Sequence, residues 1–103
     1  MRGDVHELKA ARDARGHEQR GNRFAVVVQS DLLPLSTLLV APTSTSARPT
    51  SFRPEIEVNG KTTYVLAEQT VAVQPERLGS VVAHLTHDEI TAVAKALRTV
   101  LDL

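Results

Sequence analysis

The run Phe24–Val28 (FAVVV) is apolar at every position and dominated by β-branched residues. A strand with one wet face alternates apolar and polar residues, whereas a strand buried on both faces reads as continuously apolar. The run therefore predicts a central strand over Phe24–Ser30, with the rest of the chain arranged to cover it. The stretch before it is opposite in character. Lys9–Asn22 has no apolar periodicity; Ala10, Ala11 and Ala14 support a helical turn, but Gly16 and Gly21 break it. A loop of about a dozen residues in a compact domain is usually functional or disordered. The sequence thus joins a charged loop holding Glu18, Arg20 and Arg23 directly to a buried strand, whose end fixes where Arg23 points.

The remaining segments are short and mostly strand-like. Residues 2–8 (RGDVHEL) alternate loosely around Val5 and Leu8 and are read as a first strand. Asp31–Ser36 contains Pro34 and makes a turn. Leu38–Ala41 is the next strand, ended by Pro42, and Thr43–Ser51 is a hydroxyl-rich loop. Arg53–Val58 alternates so that Ile56 and Val58 face inward, and Pro54 places it at a sheet edge or a strand start. Asn59-Gly60, flanked by strand-like residues, is a two-residue type I′ hairpin turn. Thr62–Ala67 returns and Gln69–Val73 follows. Pro75–Leu78 is one short helical turn, and Gly79–Leu85 is a last strand with Val81, Ala83 and Leu85 on one face.

Thr86–Leu103 is a helix. Thr86 is its N-cap, Glu89 completes a capping box, and Leu85 and Ile90 occupy the two staple positions. Ile90, Val93, Ala94, Leu97 and Leu101 form one apolar stripe, which serves packing and carries no chemistry. The expected fold is mainly β: one domain over residues 1–103, an antiparallel β-barrel or rolled sheet of five to seven short strands with a C-terminal helix.

Composition narrows the function classes. The 12 basic and 12 acidic side chains cancel over 103 residues, but unevenly. Residues 1–53 carry eight basic groups against five acidic ones, a net +3, and the second half carries four against seven, a net −3. Lys9–Arg23 alone holds five against two. A basic loop on a neutral protein suits a local polyanion site rather than a polyanion coat, although a solvated loop has the same composition. Cysteine is absent, which removes disulfides and thiolate metal sites. There is no apolar signal region and no run of membrane-spanning length, so a cytoplasmic protein without a membrane partner is expected.

No Walker, Rossmann, zincin or nucleophile-elbow pattern occurs. His6, His17, His84 and His87 lack metal-ligand spacing, so neither metal nor cofactor is expected. What remains is a set without a nucleophile of its own: Glu18, Arg23 and the hydroxyls after Pro42. Such a set suits a substrate that brings its own nucleophile, as RNA does with its 2′-OH. Attack on the adjacent phosphorus needs a group to take the 2′ proton, donors to stabilise the crowded phosphate and an acid for the leaving 5′-oxygen. Arginine is the natural phosphate clamp because its planar fork donates two bonds at once. Read singly, Arg23 is equally a surface arginine and Thr43 a loop-capping hydroxyl.

Taken in order, the segments resemble the MazF/PemK family of toxin endoribonucleases from bacterial toxin–antitoxin modules. Arg2-Gly3-Asp4-Val5 is similar to the family's opening strand. Gly16-His17-Glu18-Gln19-Arg20-Gly21-Asn22-Arg23 followed by Ala25-Val26-Val27-Val28 resembles its G-S-E-Q-x-G-x-R-P-A-V-V-V block. Leu39-Val40-Ala41-Pro42-Thr43-Ser44 stands where the family has a strand ending in a catalytic threonine. Val65-Leu66-Ala67-Glu68-Gln69 and Arg77-Leu78-Gly79 match its L-[DE]-Q and R-L-G segments. The resemblance covers essentially the whole chain. It implies an SH3-like barrel acting as a homodimer, metal-independent and sequence-selective cleavage of single-stranded RNA to 2′,3′-cyclic phosphate and 5′-OH ends, and a cognate MazE-like antitoxin occluding the RNA groove. Carried over by position, Arg23, Thr43 and Glu18 are catalytic. His17, Gln19, Arg20, Asn22, Ser44, Thr45 and Arg48 are RNA-binding, with Ser44 and Thr45 as alternatives to Thr43.

Phe24 stands where the family usually has proline, His17 where serine is common and His6 where Trp or Tyr is usual; the Asp31–Ser36 turn is also short. The catalytic positions are thus kept while the groove that reads bases differs. Only Phe24, Phe52 and Tyr64 are available to stack on bases. His17, with an ordinary pKa near neutrality, is a further acid–base candidate or simply an exposed loop histidine. Two other readings use the same barrel: a CcdB-type gyrase-binding toxin without catalysis, and an RNA-binding barrel without activity. Arg23 with Thr43 discriminates, since a gyrase binder needs no phosphate clamp.

Overall fold

The computed structural model describes residues 1–9 and 23–103. Seven strands, β1 (Asp4–Leu8), β2 (Phe24–Val27), β3 (Leu38–Ser44), β4 (Glu55–Val58), β5 (Lys61–Val65), β6 (Val71–Val73) and β7 (Leu78–His84), are followed by one helix, α1 (His87–Leu101). Short 3-10 turns occupy Ala67–Gln69 and Pro75–Arg77. The sheet runs β4-β5-β3-β2-β1-β7, with β6 paired to β3, and every pairing is antiparallel. It curls into a half-barrel. The continuous apolar run lies in its middle as expected: Ala25, Val26 and Val27 are all buried between β1 and β3. The strand is shorter than the sequence suggested, stopping at Val27, because Gln29 leaves the ladder. Its buried amide donates to the Leu33 carbonyl and accepts from the Leu39 N–H, tying the β2–β3 connection to β3.

Pro42 does not end its strand. β3 continues to Ser44, and Pro42 sits opposite Ala25 inside it. The Pro42 carbonyl accepts from Leu66 N–H at 2.8 Å, on the side away from β2. In a strand the N and O of one residue point the same way. The missing N–H therefore falls where β3 exchanges β6, its partner at Leu38–Val40, for β5, its partner at Thr43 and Ser44. A proline there interrupts no ladder bond, and the strand carries Thr43 past it.

The Asn59-Gly60 turn forms as expected, with φ of 51° and 81° and Val58 opposite Lys61. It leaves β4 at the sheet edge with Ile56 and Val58 in the core. The helix is capped as read: Glu89 N–H donates to Thr86 Oγ1, and Glu89 Oε1 accepts from Thr86 N–H. The other carboxylate oxygen accepts from Glu57 N–H at 3.0 Å. One side chain thus closes the helix start and covers an open donor of the edge strand. Val93 and Ala96 are the buried helix residues, with Ile90 and Leu97 against the same core. Leu101, expected in the stripe, is 61% exposed, at the last position of the helix. Val81 is likewise 44% exposed rather than inward. The register explains it: His6 pairs with Val81 but Val5 with Ala83, so Val82 is an extra residue that resets the alternation.

Candidate functional site

Strand alternation gathers one set of side chains on one face. Thr43 lies opposite Val65, and Thr63 and Lys61 follow at two-residue steps along β5. Val58, opposite Lys61, shares that face. Arg23 enters from the start of β2, its carbonyl held by Leu8 N–H at 2.8 Å. These groups, with Phe24, Ser44, Thr45 and Ser46, line an open cleft of about 290 Å³. The sequence reading singled out Arg23, Thr43, Ser44 and Thr45, and the structure brings these four to one cleft. The reading missed Lys61 and Thr63; the signal was the Asn-Gly turn, which fixes their register against β4 and so their face.

The polar groups are unequally engaged. Arg23 Nε is buried and has no hydrogen-bond partner among the described residues, and the same holds for Thr63 Oγ1, on a residue only 3% exposed. Buried polar atoms without partners are rare, since each costs about 1–3 kcal/mol; among the described residues Thr50 Oγ1, outside the cleft lining, is another. Thr43 Oγ1 donates to the Phe24 carbonyl in a long bond of 3.3 Å. Ser44 Oγ accepts from Ser46 N–H and shares a bond with Ser46 Oγ, both at 3.3 Å. With Arg23 on one wall and Lys61 among the lining residues, the cleft is cationic and rich in hydroxyl donors. It is fitted to an oxyanion such as a phosphodiester.

Arg48 is not part of the cleft lining. Its carbonyl accepts from Arg53 Nη1 at 3.3 Å, while Arg53 Nε and Nη2 both donate to Glu68 Oε2, at 3.0 and 2.6 Å. The Arg53 guanidinium also lies 5.6 Å from the centre of the Phe52 ring. Phe52, one of three aromatics available for stacking, is thus already stacked on by an arginine. His17, Glu18, Gln19, Arg20 and Asn22 lie outside the described residues.

The Arg53 hydrogen bonds hold the Glu68 carboxyl below its ordinary value of 4.5. Its folded-state pKa is lower than its unfolded one, so the pair stabilises the fold above about pH 4.5 and that contribution is lost as pH falls through the folded value. The melting temperatures of wild type and Glu68→Gln should therefore differ at pH 7 and converge as pH is lowered below 4.5. A gap that stays constant to pH 3 would mean the ion pair contributes nothing of its own.

A half-barrel that sets an arginine and a row of hydroxyls around an open cleft defines a class: a small β domain with a cationic, hydroxyl-lined cleft. Its family follows from comparison. The chain belongs to the PemK-like, MazF-like toxins of type II toxin–antitoxin systems, whose family model matches residues 1–101. A candidate toxin of Mycobacterium tuberculosis is 41% identical over 105 residues, an alignment covering 100% of this chain and 98% of that protein. Among solved structures, an endoribonuclease in complex with its cognate antitoxin, from a mycobacterial species, superposes with a TM-score of 0.82 at 18% identity, covering 100% of this chain and 95% of that one. The Mycobacterium tuberculosis toxin MazF-mt6 gives 0.78 at 17% identity, with 97% of each chain covered. MazF from Deinococcus radiodurans gives 0.78 at 22%, covering 99% and 96%. At these identities the structural likeness carries the fold, and the family membership carries the toxin assignment.

Proposed function

We propose that this toxin is a metal-independent, sequence-selective endoribonuclease acting on single-stranded RNA. The observation that carries the reading is that Arg23 and Lys61 line one open cleft together with the hydroxyl residues Thr43, Ser44 and Thr45. In the proposed reaction the 2′-oxygen attacks the adjacent phosphorus, the new O2′–P bond forms and the P–O5′ bond breaks. The products are a 2′,3′-cyclic phosphate and a 5′-hydroxyl. The 2′ proton leaves to a base and the 5′-oxygen gains a proton from an acid; Glu18 and His17 are the candidates for these transfers. Arg23 donates to the non-bridging oxygens as charge builds on them. Thr43 Oγ1 donates its one hydroxyl hydrogen to the Phe24 carbonyl at 3.3 Å. A phosphate oxygen is a charged and stronger acceptor, so the hydroxyl turns to donate to it when RNA binds.

The cleft is also the proposed seat of a cognate MazE-like antitoxin, which silences the toxin by covering the RNA site. That an endoribonuclease of the same fold was solved with its antitoxin supports this reading. A homodimer is proposed as the working unit. Leu32, Leu33, Leu35 and Leu39 are exposed, and Gln29 ties the connection that carries the first three to β3, giving an apolar surface for a second copy.

The test is to incubate antitoxin-free protein with total RNA in excess chelator and map the new 5′ ends. Discrete cuts that persist in chelator and leave 5′-hydroxyl ends are expected. Cuts abolished by chelator refute metal independence. An absence of cuts from folded protein favours the gyrase-binding reading or a non-catalytic RNA-binding barrel.

A further inference from the structure

We propose that Arg77 is a positioning residue for the cleft, acting through the end of β1 on Arg23. The proposal rests on the ribonuclease reading above. The β1–β7 ladder is interrupted twice. One shift falls between Val5 and His6 and another between His6 and Leu8, where two residues of β7, Gly79 and Ser80, face Glu7 alone of β1. Each bulge removes ladder bonds and leaves the local pairing loose. Two side chains tie this stretch together, His6 within the ladder and Arg77 just beyond its end, in the turn before β7. His6 Nδ1 bonds with the Gly79 carbonyl at 3.0 Å. Arg77 donates through Nε and Nη2 to the Lys9 carbonyl, at 3.2 and 3.0 Å, and its own carbonyl accepts from Lys9 N–H at 2.8 Å.

The consequence reaches the cleft in one step. Leu8, next to the clamped Lys9, donates its N–H to the Arg23 carbonyl at 2.8 Å. Arg77 therefore fixes the last residues of β1, and those residues fix the backbone from which the Arg23 side chain reaches into the cleft. Arg77 is not among the cleft's lining residues. Its effect is on where Arg23 sits, not on the phosphate. Small misplacement of a catalytic group from a distance can cost up to about 10²-fold in rate.

The test compares Arg77→Met, which keeps the aliphatic stem and removes every donor, with Arg77→Lys, which keeps the charge and one donor group. Two readouts are taken: amide hydrogen exchange in the free protein, and kcat and KM for a labelled oligonucleotide containing a mapped cut site. Arg77→Met should speed exchange at Leu8 and Lys9 while leaving Val26 unchanged, and should lower kcat about ten- to a hundredfold with KM nearly constant. Arg77→Lys should recover part of both. It also carries the test if the methionine variant fails to fold. Unchanged exchange at Leu8 and Lys9 overturns the clamp. Faster exchange with unchanged kcat overturns the positioning role. A salt-dependent rise in KM at constant kcat would make Arg77 an RNA contact instead, and also overturns it. If wild type cuts no RNA, the ribonuclease reading and the positioning role of Arg77 fail together, while the exchange result separately decides whether the clamp exists.

Discussion

Replacing Arg23 with alanine should lower the single-turnover cleavage rate of an RNA oligonucleotide by about 10²–10³-fold, the usual cost of removing one transition-state donor. The side chain lines the cleft, and its buried Nε has no partner among the described residues. Removing it therefore breaks no described hydrogen bond, and the melting temperature should move little. Arg23→Lys separates charge from geometry. A lysine keeps the positive charge but lacks the Nε–H and the planar fork, so it should restore only a fraction of the lost rate. If attraction for the RNA backbone were all that Arg23 supplies, lysine would restore nearly everything, and added salt would weaken both proteins alike. An alanine variant cutting within a few fold of wild type would remove Arg23 from the mechanism.

What the sequence discloses and what it hides divide along a physical line. Local rules hold where one or two residues decide a conformation. Asn59-Gly60 is such a case, since positive φ at both positions sets the hairpin and its register. Thr86 with Glu89 is another, because the cap is complete within four residues. The β-branched run at Phe24–Val28 announces a central strand because only burial on both sides suits it. The failures are non-local. Pro42 is harmless only because β3 changes partners at that residue, which depends on a segment more than twenty positions away. Val81 turns outward because of a bulge, and a bulge exists only relative to the strand across from it. The site divides in the same way. Arg23 and Thr43 were legible as residue types beside a buried strand. Lys61 and Thr63 on a hairpin look like ordinary strand filler until the sheet brings β5 against β3. Arg48, expected to bind RNA, lies outside the cleft lining, its carbonyl held by Arg53.

Gly3→Ala should cost about 2–4 kcal/mol of stability, summing backbone strain and overpacking, a drop in melting temperature on the order of 10–25 °C for a domain of this size. Gly3 has φ of +90°, where an L side chain is strained whatever the space around it. The space is also filled: a Cβ there would stand 2.8 Å from Ile90 Cδ1 and 3.2 Å from Ile90 Cγ1. Nor is the backbone free to turn away. Gly3 N–H donates to the Val27 carbonyl at 2.8 Å and its carbonyl accepts from Leu85 N–H at 2.9 Å, so it is pinned between β2 and the residue before the helix cap. The two costs can be separated. Ile90→Val removes the δ-methyl that meets the new Cβ, at an expense of about 0.5–1.5 kcal/mol by itself. In that background Gly3→Ala should cost the φ strain, about 1–2 kcal/mol, plus the smaller crowding against the remaining Cγ1 at 3.2 Å, and the difference is the coupling energy of the pair. Thermal melts of the four proteins decide it. Equal costs in both backgrounds would place the whole effect in the backbone, and a Gly3→Ala variant as stable as wild type would mean the chain start does not pass under Ile90 in this way.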